Sequence, residues 1–127
     1  MEKTVVVGGS EVRMRATALI PRNYRIKFGR DLISDMRHLE KAYNKLKQLP
    51  KDATEEERRD AEFSIVDLTL FENVAYIMVR HAGGTAAESP EDWLDSLDGV
   101  FSIYEMLPTI LDLWHLTNAT TSVPAKK

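Results

Sequence analysis

The 127-residue chain contains no cysteine. That removes a disulfide framework, a thiolate nucleophile and a thiolate zinc site together, and it makes a reducing compartment the natural setting. Imidazoles are scarce, with His38, His81 and His115 the only three. They fall on three separate predicted helices with no partner at i+3 or i+4, so a metal site would need the fold to assemble them. Read locally, they are surface histidines or histidines satisfied by a neighbour. No serine stands in a GxSxG setting, and no carboxylate pair stands out from the solvated acidic faces. The VVVGGS segment lacks both the GK[ST] and the third glycine of a phosphate loop. These absences argue against an enzyme, and no catalytic residue, cofactor or metal is assigned.

A clean membrane-spanning run is also missing. The longest apolar stretch, Phe63 to Ala82, is interrupted by Asp67, Glu72, Asn73 and Arg80, and each ionised group costs about 2.5–3.5 kcal/mol at the centre of a bilayer. The first residues, MEKTVVVGGSEVR, lack the apolar core and small-residue cleavage site of a secretory leader. No membrane association is expected, and the expected location is the cytoplasm.

What is present is a globular composition, 43% hydrophobic and 29% charged, in a length suited to one domain. Phe63, Val66, Leu70, Val74, Ile77 and Met78 recur every three or four positions, and Ile65, Leu68, Phe71, Tyr76 and Val79 extend the apolar surface around the axis. This predicts a central helix buried on most sides. Thr54-Glu55-Glu56-Glu57 reads as a capping box that starts it, and Gly83-Gly84 stops it. Ahead of it, Thr4 to Arg15 alternates around Gly8-Gly9-Ser10 as a β-hairpin. Pro21 opens a short helix to about Gly29, and Leu32, Ile33, Met36, Leu39, Tyr43 and Leu46 line one face of a helix over 30–49. Ser89-Pro90 opens another over 90–98, and a last helix covers 102–116 with Pro108 inside it, where a kink is expected. The predicted fold is α+β and mainly α: a single domain over 1–116, a small helical bundle around a long central helix over 54–82, with an N-terminal β-hairpin over 4–15. Residues 117–127 are polar and aperiodic and are expected to be a disordered tail.

The last helix carries Phe101, Ile103, Tyr104, Met106, Leu107, Ile110, Leu111, Leu113, Trp114 and Leu116, more apolar surface than one contact face needs. Either it is sandwiched in the core or part of it docks another chain. Phe101, Tyr104, Leu111 and Trp114 are the candidate partner anchors, because aromatic and large aliphatic groups dominate interfaces.

Charge is unevenly divided. Residues 1–50 hold eleven Lys or Arg against five acids, +6, and the remainder holds six against fifteen, −9. The halves can pair internally, pair with a neighbouring copy, or present a basic face to nucleic acid. Arg13, Arg15, Arg22 and Arg25 are the candidates for head-to-tail self-association as a homo-oligomer. With Lys27 and Arg30 they also form the basic stripe a nucleic-acid-binding regulator would use, although the overall pI is near 5.6.

Several segments carry a family resemblance. They are Arg15-Ala16-Thr17-Ala18 with Pro21-Arg22 and Tyr24-Arg25, Phe28-Gly29-Arg30-Asp31-Leu32, Lys41-Ala42-Tyr43, and Leu70-Phe71-Glu72-Asn73-Val74-Ala75-Tyr76. Asp92-Trp93-Leu94, then Phe101-Ser102-Ile103-Tyr104-Glu105 leading to Leu113-Trp114, complete the set. In this order they resemble the tail assembly chaperones of long-tailed bacteriophages and prophages, especially of Gram-positive hosts. The resemblance implies a non-enzymatic protein of the host cytoplasm, absent from the mature virion. It would bind and solubilise the tape measure protein and help bring tail tube protein to it, the latter through a longer frameshifted form. A small nucleic-acid-binding regulator using the basic N-terminal face is the alternative.

Overall fold

In the computed structural model of the chain, residues 1–119 are described, with side chains through Leu116. Strands β1 (Glu2–Val7) and β2 (Ser10–Arg15) form an antiparallel hairpin, in register from Val7 opposite Ser10 to Glu2 opposite Arg15. Its two-residue turn is Gly8-Gly9, with φ of 58° and 86°. Positive φ at both positions matches the right-handed twist of the strands and is open to glycine without a Cβ clash. Val12 and Met14 turn inward from β2 while Glu11, Arg13 and Arg15 face out, so the inner face lies on the helices.

Six helices follow among the described residues: α1 (Ile20–Phe28), α2 (Leu32–Lys47), α3 (Glu55–Ala61), α4 (Ile65–His81), α5 (Pro90–Asp95) and α6 (Ile103–Ala119). Their ends follow the local chemistry. Pro21 lies in the first turn of α1, and Gly29 at φ 68° closes that helix. Asp31 caps α2 by accepting from the amide of Ile33 at 3.1 Å. The Thr54–Glu57 capping box forms as the sequence predicts.

The long helix predicted over 54–82 is instead two. Glu62 and Ser64 are extended, and a second capping box restarts the chain. In it the Ser64 hydroxyl accepts from the Asp67 amide at 3.1 Å, and the Asp67 carboxylate accepts from the Ser64 amide at 2.8 Å. Four orphan amides at a helix start are costly to leave unpaired, so this pair of bonds fixes the start of α4. The intervening Phe63 turns into the core, its ring 5.1 Å from that of Tyr104. The helix predicted over 30–49 is shorter at both ends, and that over 90–98 stops at Asp95. The last helix passes through Pro108 and includes residues 117–119, which were assigned to the tail; the remainder of that tail, 120–127, lies outside the described residues.

From Val74 to Val79 every residue of α4 is buried, because β2, α1, α2, α5 and α6 surround it. Three polar ties hold those elements in place. The Asp35 carboxylate of α2 is buried and accepts from the Tyr24 hydroxyl of α1 at 2.6 Å and from two guanidinium nitrogens of Arg30, each at 2.8 Å. His38 of α2 pairs with Asp67 of α4 at 2.5 Å, and His115 of α6 pairs with Glu40 of α2 at 2.6 Å. At the far end, the hairpin turn rests directly on the α5–α6 connection. A Cβ on Gly99 would lie 2.7 Å from the Gly8 Cα, so two glycine backbones pass where no side chain fits.

Candidate functional site

The first turn of α4 is the most exposed apolar feature of the helical surface. Ile65, Val66 and Leu68 are 82, 59 and 38% exposed. All three belong to the apolar surface that the periodicity assigns to the core, and the structure returns them to solvent. The reason is the helix restart at Ser64. The neighbours that cover Val74 to Val79 reach only the Asp67 side of the first turn, where His38 pairs with it. Together the exposed fractions amount to about two whole side chains, worth roughly 3–6 kcal/mol on burial at about 1.5–3 each.

Beside this turn, Phe63 packs on Tyr104, and Tyr104 keeps half of its own surface exposed. Phe101 is half-buried, stacked on Phe71 with centroids 5.1 Å apart at 16° and set edge-on to Trp93 at 5.0 Å. Val100, next to it, is exposed. Ile65, Val66, Leu68, Val100 and Tyr104 are therefore exposed apolar groups on two segments linked by the Phe63–Tyr104 contact.

Of the four predicted anchors, Phe101 precedes α6 and is half-buried, and Tyr104 is the exposed one. Leu111 and Trp114 are 5 and 9% exposed, packed in the core with Ile110 and Leu113. Between the two readings of this helix, sandwiched or docking, the C-terminal part is sandwiched. Ser64-Ile65-Val66-Asp67 was the sequence signal for the exposed turn, since a cap and its return carboxylate three residues later mark a helix start.

Glu72 lies one turn beyond Leu68 on the same side of α4, half-buried. Burial pushes its carboxyl above the ordinary range, and among the described residues no cation is paired with it.

The four arginines named for self-association stay at the surface, and the structure separates their roles. Arg13 donates to the Ala82 carbonyl at 2.9 Å and so caps the end of α4. Arg15 sits close enough to His81 to act on it. Burial lowers the His81 imidazole first, and the cations of Arg15 and the Met1 amine add to that. Arg22 and Arg25 project from α1 and, among the described residues, have no carboxylate partner.

Each histidine has one partner: Thr17 for His81 at 2.9 Å, Asp67 for His38 and Glu40 for His115. Among the described residues no three His, Asp or Glu side chains are grouped to hold a metal ion, and no helix is long and apolar enough to cross a membrane. The arrangement offers apolar contact and charge at its surface, while its three histidines and the buried Asp35 and Asp67 are tied into junctions between elements. Comparison of the chain with protein-family models, with curated proteins and with solved structures finds no match in any of the three.

Proposed function

We propose that this chain is a tail assembly chaperone of a long-tailed bacteriophage or prophage, acting in the host cytoplasm to bind and solubilise the tape measure protein and to assist tail tube assembly. The observation that carries the reading is the exposed apolar first turn of α4 next to Tyr104. A client helix that lays Leu, Ile or aromatic groups at i, i+3, i+4 and i+7 against such a face buries apolar surface on both partners. The surrounding charge keeps the chaperone itself dispersed. The segment-by-segment resemblance supplies the identity of the client, and the exposed turn supplies a place for it to bind.

Co-expression with a tape measure protein tests this. The wild-type chain is expected to co-purify with the client and keep it in the supernatant. Ile65→Ser with Leu68→Ser should lose the client while retaining the helical circular dichroism of the parent, because both side chains are already exposed. Undiminished co-purification by the double variant overturns the assignment. A mobility shift of duplex DNA at moderate salt, abolished by Arg22→Glu with Arg25→Glu, would instead favour the nucleic-acid-binding alternative.

A further inference from the structure

Among the described residues, few ion pairs join the opposed charges of the two halves of the sequence. Among the described residues the ion pairs are Arg30 with Asp35, His38 with Asp67, Arg59 with Glu55, and His115 with Glu40. Only the two histidine pairs join residues 1–50 to the rest. Arg22, Arg25 and Lys27 of α1 are exposed, and the Lys27 ammonium donates to a backbone carbonyl, that of Glu88, and not to a carboxylate. From Glu88 to Asp112 there are seven acids and no Lys or Arg. Glu91, Asp92 and Asp95 of α5 are all exposed.

The two helices that carry these charges lie next to each other. The Tyr76 ring is 6.5 Å from Phe28 at the end of α1 and 6.4 Å from Trp93 of α5, so one side chain of α4 sits between both helices. Tyr76 and Arg80 also donate to the Ala87 carbonyl, at 2.5 and 2.7 Å, which fixes the approach to α5 against α4. Between the α1 side and this segment runs an open groove of about 800 Å³, with Ile26 on one wall, Ile77 below and Glu88 at the opposite rim. Ile26 is 70% exposed, an aliphatic group placed among charges with nothing covering it.

We propose that this flank receives a second copy of the chain, in a two-fold symmetric dimer whose axis runs along the groove. Adjacent strips of opposite sign are complementary to themselves under such a rotation. The basic edge of α1 in each protomer then meets the acidic edge of α5 in the other, and one operation satisfies both strips. Ile26 supplies apolar area between them. A polyanion such as duplex DNA fits this flank less well, since it would be drawn to α1 and repelled by α5 immediately beside it. The proposal goes beyond the chaperone reading and does not involve the client-facing turn of α4.

Sedimentation equilibrium of the full chain without client is the test. The wild type is expected to be a dimer at low ionic strength and to dissociate as the salt is raised, because the screening length falls from about 10 Å at 0.1 M to about 3 Å at 1 M. Arg22→Glu with Arg25→Glu makes the flank acidic on both edges, and Glu91→Lys with Asp95→Lys makes it basic on both. Each double variant alone should be a monomer at low salt, and an equimolar mixture of the two should restore a dimer. All four positions are exposed, and circular dichroism of each variant checks that the fold is kept. A wild-type monomer at low salt overturns the proposal, as do variants that dimerise alone, a mixture that stays monomeric, or growth beyond the dimer.

Discussion

Replacing Asp35 by Asn keeps the shape of a buried side chain while removing the charge on which three donors converge. In the wild type the Tyr24 hydroxyl is wholly buried and its oxygen lies 2.6 Å from the carboxylate, and the Arg30 fork closes on the same group at 2.8 Å through two nitrogens. A buried hydrogen bond to a charged group is worth about 1.5–3 kcal/mol. Arg30 is half exposed, so its share is screened and is taken as about 0.5–1 kcal/mol. The amide nitrogen of an Asn would also face the Arg30 fork as donor against donor. Asp35→Asn should therefore cost about 2–4 kcal/mol in chemical denaturation at neutral pH. Tyr24→Phe should cost about 1.5–3 kcal/mol by itself, and the double variant less than the sum, because the two groups share one bond.

The pH dependence has a definite sign. Burial raises the Asp35 carboxyl, but the bonds from Arg30 and Tyr24 and the charges of Arg30 and His38 outweigh it and leave it below its ordinary range. A carboxyl held low in the folded state contributes stability that is complete above its unfolded value, about 3.9, and is lost as pH falls through the folded value. Tyr24 is raised instead, by burial first and then by Asp35. It contributes stability that is complete below its unfolded value of about 10 and lost as pH rises beyond that. Denaturation midpoints of wild type and Asp35→Asn should converge below about pH 4. A cost under about 1 kcal/mol at neutral pH, or a difference that does not shrink in acid, would refute the reasoning.

Gly99→Ala forces a Cβ to within 2.7 Å of the Gly8 Cα and 2.9 Å of its nitrogen. Thermal unfolding should show a loss of about 1–3 kcal/mol, as for overpacking, and an unchanged midpoint would show that the two backbones separate freely. Glu72→Gln should be neutral or stabilising at pH 7, since burial opposes the charged form. For a carboxyl raised in the folded state, ionisation lowers stability above the unfolded value of about 4.3, so the advantage of Gln should vanish in acid. A loss of stability at pH 7 would mean that the carboxylate has a cation partner in solution.

Local chemistry was legible in the sequence. Gly8-Gly9 between alternating strands, Pro21 before a helix and the Thr54–Glu57 box each specify their own few residues and hold in the structure. The break at 62–64 was hidden because the apolar period runs across it from Ala61 to Phe63 and on to Val66, so periodicity alone joins α3 to α4. Coverage was not legible either. Leu111 and Ile65 are alike as letters in an apolar helix, and only the placement of neighbouring elements makes one 5% exposed and the other 82%. The Tyr24–Arg30–Asp35 network and the Gly8–Gly99 approach join residues with no sequence relation that a period or motif would reveal.

The role proposed for this chain is to cover apolar helical surface of another protein with the first turn of α4. Titration calorimetry with a soluble helical segment of a tape measure protein, against wild type and Ile65→Ser with Leu68→Ser, tests it most directly. Wild-type binding with a negative heat-capacity change is predicted, since apolar burial produces that sign. The double variant should lose roughly 2–4 kcal/mol, a weakening of about 30-fold or more. Equal affinity in the two proteins, or binding without a heat-capacity change, would contradict the claim.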